Sequence, residues 1–157
     1  MIEIMVAIFV LSIGLLGLAS LQTLSVRNNT SAYHRTIATQ MAYDMSDRMR
    51  ANPAGVASNE YNSPTATQNA NCLTVTGCTP AQMADHDMYE WSAAASPGSL
   101  PNVLPSGSGI VCLDDSPNDG TSAANGCSGT GTSHVVKIWW VDGRDGPELR
   151  LVLPLTM

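Results

Sequence analysis

From Ile4 to Val26 the chain carries no charged side chain, and the only one ahead of that run is Glu3. About 20 apolar residues are enough to cross the hydrocarbon core of a bilayer as a helix, so the pattern predicts a membrane-crossing segment over 1–26. The pattern then changes. Arg27 to Ala51 holds no Gly or Pro, and Tyr33, Ile37, Met41, Met45 and Met49 recur at every fourth position with Ala38 and Ala42 beside them. That spacing makes one amphipathic helical face. Asn52-Pro53 followed by Gly55 ends it. The expectation is one helix of about 50 residues, roughly 75 Å long. Its first half (1–26) projects, its second half (27–52) packs on a head, and 53–157 forms that head.

Within the head, 56–71 lacks periodicity and is expected to be a surface loop. Thr79-Pro80-Ala81-Gln82 supplies an N-cap, a proline at the first helical position and a glutamine three residues on. Ala84, Met88, Trp91 and Ala95 then mark one face of a short helix ending at Ser96-Pro97-Gly98. Ile110 to Leu113 reads as a strand. Val135 to Val141 alternates, Val136, Ile138 and Trp140 against Val135, Lys137, Trp139 and Val141. Leu149, Leu151 and Leu153 share one face of a following strand, and the turn-rich 142–147 joins the two as an antiparallel hairpin. The fold class expected is α+β, a long N-terminal helix against a small antiparallel sheet.

Charge and cysteine usage sharpen this picture. The net charge is −6, and four of the seven basic residues (Arg27, Arg35, Arg48, Arg50) precede Asn52, so the head is acidic. No basic patch with interleaved aromatics is present, which argues against nucleic acid as a partner. Cys72, Cys78, Cys112 and Cys127 are spaced C-x₅-C and C-x₁₄-C, unlike zinc knuckles. An even count in a polar domain beyond a membrane helix points to two disulfides in an oxidising compartment. Spacing leaves three pairings open; the sequential one closes the shortest loops and is favoured here. Orientation poses a conflict, because positive-inside counting puts Arg27 in the cytoplasm while the cysteines call for the other side. A short basic leader ahead of Met1, outside this sequence, removes the conflict and is expected.

Candidate chemistry is sparse. His34, His86 and His134 are scattered, and His86, between Asp85 and Asp87 on the short helix, reads as a solvated surface residue. The acidic stretch Asp114-Asp115-Ser116-Pro117-Asn118-Asp119-Gly120 fails the EF-hand spacing from Asp115, where Pro117 takes a ligand position and Gly126 the place of the bidentate glutamate, and from Asp114, where that last place falls on Asn125. An ordinary solvated turn is the reading adopted, with a looser calcium loop as its alternative; no metal and no cofactor are expected. Trp139, if exposed, is a candidate surface contact, since Trp often anchors interfaces. Gly14 and Gly17 suit either close packing between membrane helices or a place where the helix loosens outside lipid.

Met1-Ile2-Glu3-Ile4-Met5-Val6-Ala7 resembles the N-terminal signature of type IV pilins and of type II secretion pseudopilins. Val10-Leu11-Ser12-Ile13-Gly14-Leu15-Leu16-Gly17-Leu18-Ala19 resembles the PilV family of minor pilins more closely. So do Arg27-Asn28-Asn29, Ser31-Ala32-Tyr33 and Ala42 to Pro53. The resemblance is dense over the first third and thins downstream to Gly77-Cys78-Thr79-Pro80 and Asp87-Met88-Tyr89-Glu90-Trp91. It implies a non-enzymatic subunit held in the inner membrane with a periplasmic head, processed by a prepilin peptidase, then drawn into a filament by an inner-membrane assembly platform. The implied partners are the major pilin and other minor pilins. Glu3 would set subunit register by pairing with a neighbour's N-terminal amine. Ile4, Ile8, Leu11 and Gly14 would pack in the filament core, together with Leu15, Gly17, Leu18 and Leu21. The expected role is to initiate or modify pilus assembly. A minor pseudopilin of type II secretion and an adhesive module at the pilus tip are the alternatives.

Overall fold

The computed structural model describes residues 1–143 and 146–155. Helix α1 runs Ile2–Ala51, close to the length expected from the absence of breakers. The chain divides into two compact units, Met1–His34 and Arg35–Met157, so α1 contributes to both.

In the second unit, α1 is stopped by Pro53, whose ring removes an N–H donor and occupies the first position of a new short helix, α2 (Pro53–Ala57). The Asn52 side chain caps α2 by accepting from the Gly55 N–H at 3.2 Å. The loop beyond it contains a 3₁₀ turn at Ala70–Leu73, a detail the aperiodic sequence did not signal. Helix α3 (Pro80–Ser92) starts with the expected capping box, Thr79 and Gln82 each bonding the other's backbone N–H. It stops at Ser92, so Ala95 lies beyond it and is exposed, short of the predicted end. A further short helix, α4 (Leu100–Val103), follows.

Strands β1 (Ser108–Leu113), β2 (His134–Val141) and β3 (Glu148–Leu155) form an antiparallel sheet in that order, with β2 in the centre. The β2–β3 pairing is the hairpin expected, although residues 144 and 145 of its turn lie outside the described residues. Pro154 sits on an edge strand, where a missing N–H breaks no interior ladder.

The core lies between one sheet face and the helices. Val111, Val136, Ile138 and Trp140 meet Ala38, Ala42, Met45 and Met49 of α1, with Ala84, Met88 and Trp91 of α3 and Leu100 of α4 in the same cluster. Small residues on α1 allow close approach; Gly109 does the same on β1. A Cβ there would lie 2.5 Å from both Leu100 Cδ1 and Trp91 Cη2. Tyr33, placed on the packing face by its four-residue spacing, is instead exposed. The buried stripe begins at Ala38 and includes Ser46. Both cysteine pairs are sequential, Cys72–Cys78 and Cys112–Cys127.

Candidate assembly surface

The first unit is a helix with nothing of its own to cover it. Ile4, Ile8, Leu11, Leu15, Leu18 and Leu21 are 57–66 % exposed. Gly14 and Gly17 are exposed too, with no atom within 4 Å of where a Cβ would stand. Fully burying one large aliphatic side chain is worth about 1.5–3 kcal/mol. Six left in water make this stretch stable only against an apolar environment that the unit itself does not supply. Its hydroxyls are already suited to such surroundings. Ser12 Oγ donates to the Ile8 carbonyl at 2.7 Å, and Thr23 and Thr30 donate to the carbonyls of Ala19 and Val26 at 3.0 Å. These three hydroxyl hydrogens thus find a partner four residues back within the helix, as lipid requires of a buried polar group. The helix is long and apolar enough to cross a membrane. Glu3, in its first turn, is the one charged side chain before Arg27.

In the second unit a polar network ties the end of α1 to α3 and to the segment after α2. Arg48 on α1 reaches three carboxylates: Asp44 at 3.0 Å, Glu90 at 2.6 Å and Asp87 at 3.5 Å. The Tyr61 hydroxyl, fully buried, donates to Asp87 at 2.5 Å, and Asn52 Nδ2 donates to Tyr61 Oη at 3.3 Å and to the Pro80 carbonyl at 2.8 Å. Burial raises the Asp87 carboxyl above the ordinary range, against the pull of Tyr61 and Arg48. Burial and the bond to Asp87 push the Tyr61 hydroxyl up as well. Burial opposes the Arg48 charge, yet the bonds to Glu90 and Asp44 outweigh it and hold the guanidinium firmly protonated. Beside this network opens a groove of about 510 Å³ lined by Gln40, Met41, Asp44, Arg48, Glu90 and Trp91 with the turn 96–98.

His86 is not the solvated residue expected. It is 3 % exposed, its Nδ1 accepts from the Asn69 N–H at 3.1 Å, and its Nε2 lies 3.4 Å from Glu90. The loop before α3 folds back over it, which the local acidic pattern could not reveal.

The outer face of the sheet is also covered. Val135, Lys137 and Trp139 are all buried, and 114–131 folds back onto this face of the sheet. This cap is anchored to each strand: Cys112–Cys127 joins it to β1, Lys137 to β2, and Arg150 of β3 donates to the carbonyls of Asn118 and Gly120 at 2.5 and 2.8 Å. Trp139 is therefore 2 % exposed and offers no free surface, correcting its candidacy as a contact. The acidic stretch is likewise more than a solvated turn, since the Asp114 side chain is fully buried against Lys137 at 2.6 Å. The cap loop does not stop at Gly120, so the charge that organises it lies well beyond the acidic run.

Residues 20–89 match the family model described as "Tt1218-like: Type IV pilin Tt1218". The match supports a type IV pilin. It takes in most of α1 beyond the first turns, α2, the Cys72–Cys78 loop and nearly all of α3, but stops before the sheet. No curated protein and no solved structure matches the chain significantly. A pilin-type structural role agrees with the fold described above: a long apolar N-terminal helix, packed through its second part on a three-stranded antiparallel sheet, with two disulfides. Pilin subunits assemble with other pilins, and an uncovered apolar helix is the surface such assembly needs. The assembly candidates (Glu3 and the apolar positions to Leu21) fall in the first unit, and the cysteines and Trp139 in the second.

Proposed function

We propose that this chain is a minor pilin of the PilV kind that initiates or modifies type IV pilus assembly without catalysing a reaction. The observation that carries the reading is the bare apolar helix with its internally bonded hydroxyls and a single charged side chain, Glu3, in the first turn. Before assembly the helix would hold the chain in the inner membrane as a single span. The disulfides favour a head on the oxidising, periplasmic side. After assembly, neighbouring subunits would replace lipid around Ile4–Leu21. A carboxylate in that apolar core is costly unless paired; pairing Glu3 with a neighbour's N-terminal amine would make insertion favourable in one axial register. Gly14 and Gly17 would admit close helix approach.

The decisive experiment is incorporation of Glu3→Gln and Glu3→Leu subunits into sheared pili, with the inner-membrane level of each variant measured in parallel. The expected outcome is normal membrane level and at least a tenfold loss from pili. Incorporation equal to wild type would remove Glu3 from assembly. A deletion strain separates roles: loss of surface pili that returns when retraction is disabled supports initiation. Unchanged pilus number with lost attachment would point to adhesion instead.

A further inference from the structure

The Lys137 ammonium sits where a bound cation would sit. Its side chain is fully buried in the centre of β2, and Nζ has five oxygens around it. Asp114 Oδ2 lies at 2.6 Å, Asp119 Oδ1 at 2.9 Å, and the carbonyls of Asn125, Gly126 and Asp119 at 3.1, 3.3 and 3.4 Å. An ammonium has three hydrogens to give, so five converging oxygens exceed what directed hydrogen bonding needs. They describe a coordination shell instead. Two carboxylates face one positive charge, leaving the cage one unit negative.

The backbone is bent to make this shell. Gly126 has φ +68°, and a Cβ on it would lie 2.4 Å from Asp119 Oδ1. Ser116 donates its N–H to Asp114 Oδ1 at 3.1 Å and its hydroxyl to Asp119 at 3.0 Å, aiming both carboxylates inward. The cage forces the Asp114 carboxyl down to about 2: burial works against ionisation, and the bonds from Lys137 and Ser116 overcome it.

We propose that the cap 114–131 is a cation-holding loop whose cation is supplied by the chain itself as the Lys137 ammonium, and that removing this side chain uncovers a divalent-cation site. Calcium is the matching ion, because it takes six to eight carboxylate, carbonyl and water oxygens in flexible geometry. Carboxylates and carbonyls without nitrogen or sulfur are its donor set. The consequence for the native protein is a cap held over the sheet whatever the calcium supply outside the cell.

The test uses the full chain in detergent, comparing wild type, Lys137→Ala, Lys137→Met and the double variant Lys137→Ala/Asp119→Asn. Wild-type Tm is expected to be the same in EDTA and in calcium chloride. Lys137→Ala, with the stem gone, is expected to bind one calcium ion by calorimetry with a Kd of about 10⁻⁴–10⁻³ M. Its Tm should rise by about 3–6 °C at tenfold that Kd. Lys137→Met, whose stem still fills the cage, should gain nothing from calcium, and the double variant should lose the binding. If Lys137→Ala is isolated unfolded, recovery of near-ultraviolet circular dichroism on adding calcium supports the proposal. A folded Lys137→Ala that takes up no calcium, an unfolded one that calcium does not restore, or a wild type destabilised by chelation would each overturn it.

Discussion

The helix of the first unit and the outer face of the sheet depart from the usual distribution of residues in opposite directions. One leaves Ile4, Leu11 and Leu21 about two-thirds exposed; the other buries a lysine completely. The difference lies in what each group finds around it. Lys137 is matched by two carboxylates and three carbonyls from its own chain. The helix side chains are matched by nothing within their own unit. An interior charge with a full oxygen shell is finished structure. An apolar surface without cover is a demand on the surroundings, and that is where the proposed assembly function would reside.

The largest effect should come from breaking the finished side. Removing one partner of a buried ion pair strands the other and costs about 3–5 kcal/mol. Lys137→Met is therefore expected to lower the unfolding free energy of the full chain by that much, read from urea titration in detergent, while its membrane association stays at wild-type level. Replacing both buried partners, as Lys137→Met with Asp114→Leu, should recover a substantial part of the loss, since the buried carboxylate goes with the ammonium and Asp119, half exposed, keeps its hydration.

Charging the unfinished side should do the reverse. Leu11→Arg places a cation in the middle of the apolar run, at about 2.5–3.5 kcal/mol on membrane-insertion scales. Fractionation should show the variant leaving the membrane pellet, with the disulfide-bonded head retaining the wild-type urea midpoint. A head destabilised by Leu11→Arg would mean that the apolar run also serves the second unit.

The same contrast explains what was legible in the sequence. The helix was readable almost to the residue because period and breakers are local: Glu3, the uncharged run and Asn52-Pro53 mark its limits. The inner sheet face was readable from the alternation of Val136, Ile138 and Trp140. The outer face was not, because its cover comes from 114–131 and depends on contacts far apart in sequence. A hint existed in Val135, Lys137, Trp139 and Val141, where a lone lysine interrupts an otherwise apolar strand face. Four such positions are rarely all solvated, so the face called for a cap, and the lysine for acids to meet it. The Arg48–Asp87–Tyr61 network escaped for the same reason. Its members are 13 or more residues apart along the chain, and the packing of α3 against α1 and the segment after α2 brings them together.

Within the head, the two disulfides sharpen the comparison further. The chain-entropy relation gives about 3 kcal/mol for the longer Cys112–Cys127 loop and about 2 kcal/mol for Cys72–Cys78. Replacing each pair by serines should lower the urea midpoint in that order. The Cys112/Cys127 variant should also expose Trp139, read as a red-shifted fluorescence component, because that bridge holds the cap on β1. The Cys72/Cys78 variant should leave Trp139 fluorescence unchanged.

The smallest effect, and the one that separates cap from core most finely, is the acid response of the head. His134, at the start of β2, is buried, and burial lowers its pKa below the ordinary histidine value of 6.5. The unfolded chain therefore takes up a proton before the folded one does, and stability starts to fall as pH drops below about 6.5. Asp114 is held down to about 2 from an ordinary value of 3.8, so its contribution is intact above about 4 and disappears as pH falls from there through about 2. Asp87 runs the other way: its raised carboxyl makes protonation easier in the folded head and partly offsets both losses. Stability against pH should thus fall in two steps. His134→Gln should flatten the first and spare the second. Asp114→Asn should start from a lower plateau, with Lys137 short of a carboxylate, and show a smaller second step, carried by Asp119, whose carboxyl the bond from Lys137 also lowers. A single transition unchanged by either substitution would detach the acid response from both groups, and with it the claim that the cap is held electrostatically.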